Sequence, residues 1–126
     1  MVYRRVPEAP VQSVNLISDA RFSDEGPNVL HAVKTDQLLV DGLYLKPGQR
    51  LGWHKVAEAD RAFLCVQGQG ELVLETMAAG NELRIPLALG AVALAPRGVF
   101  HDLVAGAGGM VCSSFSKFPV RIVEKG

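Results

Sequence analysis

Apolar runs of four to eight residues recur along the chain, each closed off by glycine, proline, asparagine or aspartate. In order they fall at 29–33 (VLHAV), 38–45 (LLVDGLYL), 50–56 (RLGWHKV), 62–67 (AFLCVQ), 71–76 (ELVLET), 83–89 (LRIPLAL), 91–95 (AVALA), 100–105 (FHDLVA), 110–115 (MVCSSF) and 120–124 (VRIVE). Many are rich in β-branched residues, which suit a pleated surface. No stretch sustains a helical 3.6-residue period, and the segment 57–62 is too short to do so. Short strands at regular spacing with frequent glycine turns predict an all-β sandwich or barrel.

The polar positions between the runs supply the turns. Lys46-Pro47-Gly48 and Pro96-Arg97-Gly98 combine a proline, whose φ is fixed, with a glycine free to take positive φ. Ala79-Gly80-Asn81 predicts a hairpin between 71–76 and 83–89, and Gly68-Gln69-Gly70 a tight turn between 62–67 and 71–76. Ahead of the first strand, residues 1–10 read as a polar arm broken by prolines, 11–18 as a strand or loose turn, and 21–28 as a loop.

Composition narrows the functional classes. At 126 residues and 48% hydrophobic, the chain suits one domain, 1–126, with a real core. Thirteen basic residues balance thirteen acidic ones, so neither nucleic acid nor an anionic membrane is an expected partner. The uncharged run 85–96 is too short for a bilayer, which needs about 20 residues, and no apolar signal core opens the chain. A cytoplasmic location is the expectation. The two cysteines, Cys65 and Cys112, sit in apolar strands outside any CxxC pair and read as reduced, buried hydrophobes.

Chemistry concentrates in two glycine-flanked segments. The first, 48–71, carries Gly48, His54, Arg61 and Gly68; the second, 90–101, carries Gly90, Pro96, Gly98 and His101. Together they resemble the paired motifs of the cupin family of small barrels. The first motif runs glycine, five residues, His-x-His, three or four residues, glutamate, six residues, glycine. Gly48 and His54 match its opening and Gly68 its end. The second runs glycine, five residues, Pro-x-Gly, two residues, histidine, three residues, asparagine. Gly90, Pro96, Gly98 and His101 match it, with Ala105 in place of the asparagine. The resemblance covers 48–105 and implies a double-stranded β-helix, or jelly-roll, barrel.

In the family, the motif histidines and glutamate converge on a divalent metal. Here Val56 stands at the second histidine and Arg61 at the glutamate. Valine has no lone pair and a guanidinium cannot coordinate a cation. The resemblance therefore implies a degenerate metal site with no tightly bound cofactor. The competing arrangement is a divalent metal on His54, His101 and a carboxylate brought in from the turn, Asp60 being the candidate. Glu58 and Asp60 otherwise read as solvated turn residues.

An Arg61 facing the interior needs a partner, because an unpaired buried charge is costly. That partner is either a protein carboxylate or a small anionic ligand held by the guanidinium fork. In the second case His54 and His101 become hydrogen-bonding or acid–base groups, with Val56, Phe63 and Cys65 lining the pocket beside them. Trp53, of opposite parity to His54, is expected outside the barrel, Phe100 packed away from the pocket, and His31 an ordinary strand histidine. Three functions remain open. They are a binder of a small organic, acidic ligand, a metal-dependent isomerase or dioxygenase, and a non-catalytic structural or regulatory barrel. Single-domain family members imply a homodimer, with the arm 1–17 (Val2, Val6, Val11 and Leu16 its apolar positions) exchanged between subunits.

Overall fold

The computed structural model describes residues 12–76 and 80–126, and every regular element among them is a β-strand. The strands are β1 (Asn28–Lys34), β2 (Leu38–Leu45), β3 (His54–Val56), β4 (Arg61–Glu75), β5 (Glu82–Leu87), β6 (Val92–Ala95), β7 (His101–Lys117) and β8 (Ile122–Glu124). All pairings are antiparallel. One path runs β1-β2-β7-β3-β8, and β4 joins it through β7 while also pairing with β5 and β6. The sheet curls because β7 serves different neighbours along its length. Its first residue faces β3, while its later residues lie between β2 and β4.

Two expected breaks are absent. The segments 62–67 and 71–76 are one 15-residue strand, and 100–105 and 110–115 belong to one strand of 17. Gly68-Gln69-Gly70 is therefore no tight turn: the chain passes through it with register shifts between Cys65 and Gln67 and between Gly68 and Gly70. These are β-bulges, which bend a long strand without ending it. Gly68 is required there twice over. Its φ is +73°, and an added Cβ would lie 2.2 Å from the Gly109 carbonyl oxygen on β7. The segment 50–56 shrinks the other way, to β3 plus a single bridge from Arg50 to Val104.

The turns around proline form as expected. The Gln49 amide donates to the Lys46 carbonyl at 3.0 Å, and the Val99 amide to the Pro96 carbonyl at 3.1 Å. The hairpin from β4 to β5 also forms, pairing Glu75 with Glu82; Ala79 of its expected turn lies outside the described residues. Of the arm, residues 1–11 likewise lie outside them, Val2, Val6 and Val11 included. Gln12 exchanges two hydrogen bonds with the Lys34 backbone. The stretch after it is a turn rather than a strand, closed by Asn15 Oδ1 accepting from the Ile17 and Ser18 amides. Leu16 packs against its own sheet at Gly42, and its carbonyl accepts from the Tyr44 hydroxyl at 2.8 Å.

Strand alternation builds the core. Leu43, Phe63, Cys65, Leu72, Leu103 and Cys112 are fully buried and belong to one cluster. Each large side chain contributes about 1.5–3 kcal/mol by leaving water. Cys65 and Cys112 are direct cross-strand partners, and both are free thiols. Burial pushes the Cys112 thiol up, which keeps it protonated and unreactive.

The same pairing aligns a row of side chains across the sheet, its outer member His31 exposed and the others buried. His31 on β1 faces Asp41 on β2, Asp41 faces Ser114 on β7, and Ser114 faces Phe63 on β4. Ala93 on β6 completes the row across five strands.

Candidate functional site

The site begins with a short strand pinned from below. Asp102, fully buried on β7, accepts from the Gly52 amide at 2.8 Å and from Arg50 Nε at 2.6 Å. This fixes the segment before β3, whose Gly52 carbonyl then receives the Nδ1–H of His54 at 2.7 Å. The bond sets the tautomer: Nδ1 carries the proton, and Nε2 offers a lone pair.

Arg61, the first residue of β4, uses that lone pair. Its Nη1 donates to His54 Nε2 at 2.7 Å, and its Nη2 to Ser114 Oγ at 3.1 Å. The guanidinium also lies 4.9 Å from the centre of the Phe63 ring. Arg61 is 6% exposed, yet among the described residues it forms no ion pair with any carboxylate. Burial pulls its pKa down to about 10, against the opposing pull of the Asp41 charge. It stays a cation at neutral pH.

His101 lies directly across from His54, the two rings 4.4 Å apart, with Phe63 edge-on at 5.7 Å. Its Nδ1–H donates to the Val99 carbonyl at 3.0 Å. Its Nε2 is buried and has no hydrogen-bond partner among the described residues. Burial pushes His101 down to about 4, and the Val99 bond only partly opposes this. His54 is lowered too, mainly by burial and further by the Arg61 charge. Both imidazoles are neutral at pH 7.

A cavity of about 510 Å³ opens above this cluster. Arg61, His54, Asp41 and His31 face it, and Trp53, Glu124 and Lys125 stand around it. The His31 Nδ1–H donates to Asp41 Oδ1 at 2.7 Å, with the carboxylate buried and the imidazole side chain 62% exposed. A second hollow of about 400 Å³ beside the β4 bulge is lined by Phe22, Leu45, Pro47, Met110 and Lys46, and carries no acid–base pair.

The site residues expected from sequence separate into three groups. His54, Arg61 and His101 converge, with His101 behind the other two rather than on the cavity wall. Phe63 supports Arg61 and His101 from the core, while Cys65 and Val56 are buried away from the cavity wall. Asp60 does not join them. It is exposed, and its Oδ1 accepts from the Arg97 amide at 2.9 Å, tying the turn before β4 to the Pro96–Gly98 turn. Glu58 pairs with Arg121 on the surface.

Two minor expectations change as well. Trp53 reaches the cavity rim, with Lys125 Nζ 5.6 Å from its ring, because Gly52 turns the chain just before β3. His31 is no ordinary strand histidine, since it faces the cavity on a buried carboxylate. Phe100 does pack outside, under Lys55 and Lys125.

Asp41, Ser114, Glu124 and Lys125 carried no motif. The available signal was parity: Asp41 shares a face with Leu39, Leu43 and Leu45, so it had to point inward.

The donor set does not fit a divalent metal. One imidazole lone pair is already bonded to a guanidinium, Val56 offers none, and the Arg61 charge opposes any cation beside it. Among the described residues no group of three or more histidine, cysteine, aspartate or glutamate side chains converges. The set of His54, Asp60 and His101 is not assembled, because Asp60 is held on the outer surface by its turn.

No family model and no curated protein sequence matches the chain. Solved structures do match. A Thermus thermophilus protein superposes with a TM-score of 0.76 at 20% identity, covering 85% of this chain and 97% of its own. An RmlC-like cupin protein from Desulfovibrio desulfuricans gives 0.73 at 25% identity, covering 86% and 97%. KdgF from a Halomonas species gives 0.68 at 22% identity, covering 88% and 96%. The curled antiparallel sheet has the double-stranded β-helix fold of these cupin structures.

Proposed function

We propose that this barrel binds a small organic acid, with Arg61 as its anchor and His54 and Ser114 holding the guanidinium in place. The observation that carries the reading is a buried guanidinium on a cavity wall whose hydrogen-bond partners among the described residues are all neutral. Burying a charge without a counter-charge costs stability, so a fold that keeps one has a use for it. A carboxylate entering the cavity completes the pair. Of the five N–H donors on a guanidinium, two are occupied by His54 and Ser114, which leaves enough for a bidentate contact.

Calorimetric titration of the purified chain with acetate, pyruvate, 2-oxobutyrate, succinate and phosphate tests this. At least one acid binds the wild type, and Arg61→Leu weakens it roughly 10- to 100-fold, as charge-assisted hydrogen bonds of about 1.5–3 kcal/mol require. Removing the unpaired charge also leaves the unfolding temperature equal or higher. Undiminished binding of every acid by the leucine variant refutes the anchor.

A further inference from the structure

We propose that His31 and Asp41 form an acid–base dyad that moves a proton at the carbon next to the ketone of a small 2-oxo acid bound on Arg61. The inference rests on the Arg61 reading and adds a reaction to it.

The dyad is built rather than incidental. Asp41 is 5% exposed at an inward-facing position of β2, where its neighbours in phase are Leu39 and Leu43. Among the described residues it forms no ion pair with a lysine or arginine; its partner is the Nδ1–H of His31 at 2.7 Å. Sheet stability alone does not call for a carboxylate in such a place. The bond leaves His31 Nε2 with its lone pair free, and no described residue bonds it. The ring faces the same cavity as Arg61.

Strand register brings the two groups to one cavity. Asp41 and Ser114 are direct cross-strand partners, with Cβ atoms about 5 Å apart as such pairs are, and Ser114 Oγ takes its bond from Arg61. Dyad and guanidinium therefore reach the same cavity from neighbouring strands, where one small acid can touch both. Chemistry sets the class. An imidazole removes a proton from carbon at a useful rate when a neighbouring ketone accepts the charge. A 2-oxo acid also presents a carboxylate oxygen and a keto oxygen side by side, and the planar guanidinium fork matches both.

The step balances without a further reactant. His31 Nε2 takes a proton from C3; the C–H electron pair becomes the C2=C3 bond, and the ketone oxygen takes up the charge beside the Arg61 cation. The imidazolium, open to solvent, exchanges its proton and returns one to C3. Asp41 is a positioning residue: it holds the ring and stabilises the imidazolium.

The test follows hydrogen exchange at C3 of 2-oxobutyrate by proton NMR in D₂O, alongside calorimetric binding of the same acid. Wild type accelerates exchange at least 100-fold over buffer. His31→Gln abolishes the acceleration while its Kd stays within threefold. Asp41→Asn lowers the saturating rate 10- to 100-fold with the half-saturating concentration unchanged, a split that loosening of the sheet does not give. Arg61-dependent binding without exchange in the wild type overturns the dyad and leaves the anchor standing. Absence of binding of any 2-oxo acid to the wild type overturns the dyad, and absence of binding of every acid in the titration series overturns the anchor as well. Exchange by His31→Gln at the wild-type rate overturns the dyad alone.

Discussion

At the scale of single residues, the site is a set of side chains each fixed by a neighbour that does no chemistry itself. Asp102 is the clearest case, since it fixes Gly52, and Gly52 fixes His54. Asp102→Asn removes the charge that Arg50 pairs with and turns one acceptor oxygen into a donor. Arg50 is half exposed, so the loss is moderated by solvent, and about 2 kcal/mol is expected in urea unfolding. The His54 ring resonances should shift in the same variant, because its anchoring carbonyl is freed. Unchanged stability and unchanged His54 signals would remove Asp102 from the supporting role. His54, Arg61 and His101 were legible in the sequence because glycine and proline at fixed offsets tie them to known turns. His31 and Asp41 were not, because their meeting depends on which residues of β1 and β2 pair, and local spacing does not encode that register.

At the scale of elements, glycine was the residue most open to misreading. Gly68-Gln69-Gly70 has the composition of a turn, and a bulge uses the same positive φ for a different end. What decides between them is the partner strand: β7 pairs with β4 on both sides, from His101 to Ala105 and again from Met110 to Ser116. Gly68→Ala should therefore cost clearly more than Gly48→Ala. Both positions have positive φ, worth about 1–2 kcal/mol, but only at Gly68 does a Cβ strike backbone, while at Gly48 it meets nothing within 4 Å. Urea midpoints of the two variants measure the difference, and equal losses would show that the approach of Gly109 relaxes freely. The strands themselves were legible throughout, since alternation survives whether a strand is short or continues through a bulge.

At the scale of the whole molecule, the buried histidines make stability depend on pH in a set direction. His101 titrates at about 4 when folded and at about 6.5 when unfolded, and His54 is shifted the same way. Between these values the unfolded chain binds more protons, so unfolding becomes easier as pH falls from 6.5 toward 4. The His101 share is on the order of 3 kcal/mol, fully present above pH 6.5. Glu58 and Asp24, both held below their ordinary values by hydrogen bonds from Arg121 and Lys46, add little in this window. Urea midpoints at pH 7.5, 6 and 4.5 should fall steadily for the wild type and flatten for His101→Asn; parallel curves would contradict the assignment.

The cross-strand row His31–Asp41–Ser114–Phe63–Ala93 has a further consequence. Its polar members sit on strands β1, β2 and β7, apart from the Gly68 bulge and from the Asp102 brace. A combinatorial library confined to His31, Asp41 and Ser114 would rewrite what the cavity accepts without touching the loops. If the cavity holds the proposed acid, its selectivity can be evolved three positions at a time.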